Sequence, residues 1–155
     1  MRDEKVSGPR LALLHPKARA IFRAFIEDVE AHNSETCLRI MQGLRTFAEQ
    51  DAIYAQGRTK PGSIVSNSRA GQSYHNFGMA IDLVEMDGER NEVCDWKFDM
   101  ATIAAIAKKH GLGWGGDFKS IKDKPHFELT FGKTWQELKA LHDTEKVDAQ
   151  GYVII

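Results

Sequence analysis

Cysteine is scarce in this sequence: Cys37 and Cys94 are its only two, and they lie far apart and outside any Cys-x-x-Cys pair. That excludes a disulfide framework. The two are read as small, buried or half-buried thiols, with a Cys37–Cys94 bridge as the lesser reading. Long apolar runs are missing too. No window holds 18 apolar residues, so no transmembrane helix is expected. Leu11–Leu14 is too short for a secretion-signal core, and His15–Pro16 ends it. The expectation is therefore synthesis in the cytoplasm, with export through some other agent if the protein acts outside. An excess of charge of one sign is also lacking. Lys and Arg number 21 against 22 Asp and Glu, a net charge of −1. That leaves no global electrostatic case for nucleic acid or for stable association with an anionic membrane. There are no repeats and no low-complexity linker. The 155 residues suit one domain able to bury a core without covalent staples.

The periodicity of the chain predicts a mixture of helices and short strands. Residues 1–14 read as a loose segment containing Gly8 and Pro9, residues 15–141 as the working domain, and 142–155 as a C-terminal tail, with the charged stretch Asp143–Gln150 solvated and the docking of the apolar end, Tyr152–Ile155, left open. From Pro16, the residues Ala20, Ile21, Phe22, Phe25, Ile26 and Val29 form an apolar helical stripe that ends at Asn33. Cys37–Met41 reads as a strand. Thr46 with Glu49 makes a capping box for a second helix, which Gly57 closes. Arg58–Gln72 is a loop long enough to suggest function. Met79–Val84 reads as a central strand, Asp87-Gly88 as a hairpin turn and Phe98–His110 as a helix. His126–Leu129 is a short strand, and Thr134 with Glu137 caps a last helix. The fold class expected is α+β, a single domain with a small antiparallel sheet flanked by helices.

The chemistry concentrates in two places. His75 and Asp82 can share one cation only if the chain folds back between them, and Gly78 is the residue that allows it. Asp82 then stands on a strand whose neighbours are apolar, where a carboxylate is costly unless it is paired or on a metal. The third candidate is His126, which shares a strand face with Glu128, opposite Phe127 and Leu129. Two histidines and one carboxylate are the ligand set of a catalytic zinc site that keeps one position open to water. Asp123, three residues before His126, is the candidate general base. Arg45, at the end of the first strand, is the candidate for stabilising an oxyanion. His15, His32, His110 and His142 read as surface or capping residues. Asp117 reads either as a residue orienting a ligand histidine or as a turn residue.

At these residues the sequence resembles the D-Ala-D-Ala carboxypeptidase-like (M15-type) zinc metallopeptidases, and within them the L-alanyl-D-glutamate endopeptidases of phage endolysins and bacterial wall hydrolases. The resemblance runs from about His15 to Leu141. The family pattern Ser-x-His-x-x-Gly-x-Ala-x-Asp stands intact from Ser73 to Asp82, and the acid three residues before a zinc histidine stands as Asp123 and His126. Leu44-Arg45-Thr46 with Glu49-Gln50, Tyr54 to Thr59, Gly71-Gln72-Ser73 and Trp114 to Asp117 resemble further family segments. The resemblance implies one catalytic Zn²⁺ on His75, Asp82 and His126, with Asp123 and Arg45 catalytic. It implies substrate contacts from Gln72, Ser73 and Trp114. The partner it implies is the peptidoglycan stem peptide, cut by a monomer acting on the wall after release, as a phage lysin does. The alternatives are a D-alanyl-D-alanine carboxypeptidase or dipeptidase of the same family and a wall-binding module without catalysis.

Overall fold

The apolar stripe that begins at Pro16 needs a partner surface, and the computed structural model supplies one in a small antiparallel sheet. The structure describes residues 1–87, 92–119 and 122–155, so Gly88 of the expected hairpin turn lies outside the described residues. The helices are α1 (Glu4–Ala12), α2 (Pro16–His32), α3 (Phe47–Ala55), α4 (Met100–Lys109) and α5 (Trp135–Asp143). The strands are β1 (Leu38–Gln42), β2 (Ala80–Asp87), β3 (Glu92–Val93), β4 (Gly113–Trp114) and β5 (His126–Glu128). The sheet order is β1-β2-β5-β4, all antiparallel, and β3 pairs with the far end of β2. Two short 3₁₀ turns, Tyr74–Phe77 and Gly115–Asp117, lead into the working face of the sheet.

Alternation along the two central strands separates core from chemistry. Ile81 and Leu83 of β2 and Phe127 of β5 turn to one side and are fully buried with Phe22, Phe25 and Ile26 of α2 and with Ile103 and Ile106 of α4. The Phe25 and Phe127 rings pack 5.0 Å apart. Each large apolar side chain in that layer contributes about 1.5–3 kcal/mol relative to exposure. Asp82, His126 and Glu128 take the opposite face. Asp82 and His126 are direct cross-strand partners, so the pairing itself sets their side chains beside each other.

Both predicted capping boxes are present, Thr46 with Glu49 and Thr134 with Glu137. Pro16 occupies the first turn of α2, behind His15 as N-cap. The His15 ring is buried. Its Nδ1 accepts from the Lys17 N–H, and its Nε2 donates to the Val153 carbonyl at 2.9 Å.

Two expectations are corrected. The segment read as loose holds helix α1. Its partners are remote in sequence: Asp3 accepts from Arg39, Glu4 pairs with Arg23, and Leu11 enters the core. Helix α4 starts at Met100 instead of Phe98, because the Asp99 carboxylate caps the N–H groups of Ala101 and Thr102. Lys97 and Phe98, ahead of that cap, donate instead to the buried Glu85 carboxylate of β2. Of the tail, the apolar end whose docking the sequence left open does return to the domain, with Val153 buried and bridged to Val147. The cysteines are free. Cys37 lies against Met86 on one edge of β2 and Cys94 against Glu85 on the other, so a strand separates them and a bridge is out of reach.

Candidate metal centre

His75 and Asp82 meet because the chain reverses between them. Ser73 caps the 3₁₀ turn that carries His75, and Gly78 then takes the left-handed conformation at φ 67°. A Cβ at Gly78 would lie 2.6 Å from the His15 nitrogen, so only glycine fits that reversal. Three atoms converge as a result. His75 Nε2, Asp82 Oδ1 and His126 Nδ1 form a triangle with every edge 3.2 Å. A tetrahedral cation with bonds of about 2.0–2.1 Å keeps its ligand atoms about 3.3–3.4 Å apart. The triangle is thus one face of such a tetrahedron within a tenth or two of an ångström.

The outer nitrogens support the same arrangement. His75 Nδ1 lies 2.8 Å from the Gly43 carbonyl, just past the bulge that interrupts β1 between Ile40 and Gln42. His126 Nε2 lies 3.0 Å from Glu128 Oε2. With a cation bound, each outer nitrogen would keep its hydrogen on that oxygen and each inner nitrogen would turn a lone pair to the shared centre. The residues present fit a metal ion.

Charge follows this geometry. Burial works against ionisation of Asp82, but hydrogen bonds from His126 and His75 outweigh it and hold the carboxyl well below the ordinary range. Burial also works against the His126 cation. Its bonds to Asp82 and Glu128 prevail and raise its pKa to about 9 in the metal-free protein. Arg45 Nη2 stands 3.7 Å from the second Asp82 oxygen, and its Nη1 donates to the fully buried Gln50 at 3.0 Å. Burial lowers its pKa from the usual guanidinium value, though such a group stays charged at any working pH. The Asp123 carboxyl is pushed above its ordinary range, first by desolvation and then by the Asp82 charge.

Around the triangle lies a cleft of about 560 Å³. Arg45, Gln72, Ser73 and Asp123 line it together with the three converging residues. Tyr74, Phe118, Ile53 and Trp135 form its apolar parts.

Comparison with known proteins gives this constellation relatives. The model of the D-alanyl-D-alanine carboxypeptidase family, one of the M15 peptidases, matches residues 66–129, which contain all three converging residues and Asp123. Over those residues the chain is similar to the M15 peptidases. It is 45% identical over 102 residues to the peptidoglycan L-alanyl-D-glutamate endopeptidase CwlK of Bacillus subtilis, a match covering 58% of this chain and 59% of that protein. It is 34% identical over 84 residues to the L-alanyl-D-glutamate peptidase of Listeria phage A118, covering 51% of this chain and 30% of the relative. Among solved structures it resembles the L-Ala D-Glu endopeptidase ChiX of Serratia marcescens, with TM-score 0.62, 29% identity and coverage of 84% of this chain and 91% of that one. The chain therefore spans three fifths or less of the curated relatives it matches.

One residue lies elsewhere than expected. Trp114 is not among the residues lining the cleft; its indole N–H donates to the Lys124 carbonyl at 2.8 Å. Asp117, for which two readings stood open, pairs with Lys108 at 2.8 Å, which favours the turn residue. One contributor was missed as such. Glu128 shares a strand face with His126, which the alternation of the short strand already indicated, but its use as the partner of His126 Nε2 depends on which nitrogen turns inward. Glu128→Ala is expected to weaken metal affinity about 10–100-fold, measured by competition with a chromophoric chelator. Unchanged affinity would mean that the strand alone orients His126.

Proposed function

We propose that this chain is a zinc-dependent peptidoglycan hydrolase that cleaves the L-alanyl-D-glutamate bond of stem peptides. The observation that carries this reading is the 3.2 Å triangle of two imidazoles and one carboxylate beside Asp123, in a chain whose relatives CwlK and ChiX are named for that activity. Zinc is the ion favoured by the donor set and by the tetrahedral spacing. When bound, it supplies Lewis acidity that makes a water nucleophilic near neutral pH and polarises the scissile carbonyl.

The side chains do the rest. Asp123, with its raised pKa, accepts the proton of the attacking water and delivers it to the departing D-glutamyl nitrogen. Arg45, held by Gln50 and facing Asp82, places a fixed positive charge where the tetrahedral oxyanion develops. Gln72 and Ser73, on the rim, are read as substrate contacts. Arg45 is the only arginine or lysine among the described residues that line the cleft, and it is already engaged. A carboxypeptidase would need a charge to grip a free terminal carboxylate, so the endopeptidase reading is preferred to the D-alanyl-D-alanine one. Among the described residues no helix is long and apolar enough to cross a membrane. With the phage relative, this suits a monomeric lysin that reaches the wall on release.

The test is digestion of purified muropeptides followed by mass spectrometry, before chelation, after it, and after zinc is restored. Fragments starting with D-glutamate, lost on chelation and regained with zinc, are expected. Release of D-alanine alone would overturn the bond assignment. Tight binding without hydrolysis in zinc would favour a wall-binding module.

A further inference from the structure

We infer that Trp114 is a positioning residue for Asp123, acting from behind the cleft and not as a surface on which substrate rests. The inference rests on the reading of Asp123 as the proton-transfer group. Asp123 stands on the connection between the second 3₁₀ turn and β5, a segment with no regular ladder of its own. Its backbone is nevertheless tied on both sides. The Asp123 N–H donates to the Gly115 carbonyl at 3.0 Å, and the Asp123 carbonyl accepts from the His126 N–H at 3.2 Å. The next residue, Lys124, gives its carbonyl to the Trp114 indole at 2.8 Å. Trp114 itself is anchored in β4, paired with Phe127 of β5, and its ring packs against the core. One side chain therefore ties the Asp123 segment to the strand next to the one that carries His126.

The glycines after Trp114 show how close this packing is. A Cβ at Gly116 would sit 2.2 Å from Trp114 Cζ2, so the indole lies directly on that glycine. A Cβ at Gly115 would sit 2.3 Å from the Asp123 carbonyl oxygen and 2.9 Å from His126 Cβ. Trp114, Gly115 and Gly116 thus form a close-packed bed under Asp123 and His126 together. The bed fixes the general base relative to a metal ligand, a separation to which proton transfer is steeply sensitive. The ring is not among the described residues that line the cleft, which sets it behind the site.

The test uses Trp114→Phe in the full chain, which keeps a ring over Gly116 and removes the indole N–H. Gly116→Ala is the companion, keeping the N–H but pushing the ring off its bed. Both are expected to lower kcat on the order of tenfold, with KM within about twofold and bound metal at the wild-type level. Hydrogen exchange gives a readout independent of turnover. The Asp123 and His126 N–H groups should exchange faster in both variants, while those of α2 and α4 keep wild-type protection. A rise in KM with kcat unchanged would overturn the inference in favour of a substrate surface. Loss of metal together with faster exchange throughout the core would overturn it in favour of a general packing role. Wild-type protein that cleaves no muropeptide would refute the wall-hydrolase reading instead, and the exchange pattern would still decide whether Trp114 holds the Asp123 segment.

Discussion

His75→Ala, Asp82→Ala and His126→Ala each lose bound metal and peptidase activity together. The 3.2 Å triangle has three corners and no reserve among the described residues. Removing one leaves a two-ligand site, which holds a cation poorly. Asp82→Ala has a further consequence. It strips the carboxylate from His126 and from Arg45, both of which face it in a half-buried place. Protons compete for the same corner. In the metal-free protein His126 holds its proton up to a pKa of about 9, so at neutral pH a bound metal ion must displace it. Metal affinity should therefore rise by about tenfold per pH unit below that pKa and fall correspondingly as the solution is acidified. Metal analysis of the dialysed variants beside wild type, repeated across pH, checks both statements. A variant that loses activity but keeps a full equivalent of tightly held metal would remove that residue from the ligand set.

Asp123→Ala should lower kcat by about 10²–10⁴-fold, the range for loss of a general base, while metal content stays at one equivalent. The separation of the two effects is the point of the experiment. Asp123 lines the cleft with the triangle, but no hydrogen bond joins its carboxyl to any corner among the described residues. Its elevated pKa comes from desolvation and from the Asp82 charge, conditions that make a carboxylate a better proton acceptor. Full activity in the alanine variant would end its assignment, and loss of metal would move it into the ligand shell.

Much of this was legible because it is written locally. Thr46 with Glu49 and Thr134 with Glu137 announce their helices within four residues. Gly78 announces the reversal that lets His75 meet Asp82. The two-residue alternation of a strand sets His126 and Glu128 on one face. What escaped depends on contacts remote in sequence. Helix α1 is stabilised through Arg23 and Arg39, so Gly8 and Pro9 read locally as breakers. The inward nitrogen differs between the two histidines, Nε2 on His75 and Nδ1 on His126, because the oxygens behind them belong to Gly43 and Glu128. Trp114 reads as a cleft aromatic until the connection after Gly115 is seen to pass beneath its ring.

Anomalous diffraction at the zinc absorption edge, from crystals grown with zinc, tests the central claim most directly. The expected result is one peak about 2.0–2.1 Å from each of His75 Nε2, Asp82 Oδ1 and His126 Nδ1, with Glu128 still on His126 Nε2. A peak bound elsewhere, or His126 turned to bind through Nε2, would contradict the account.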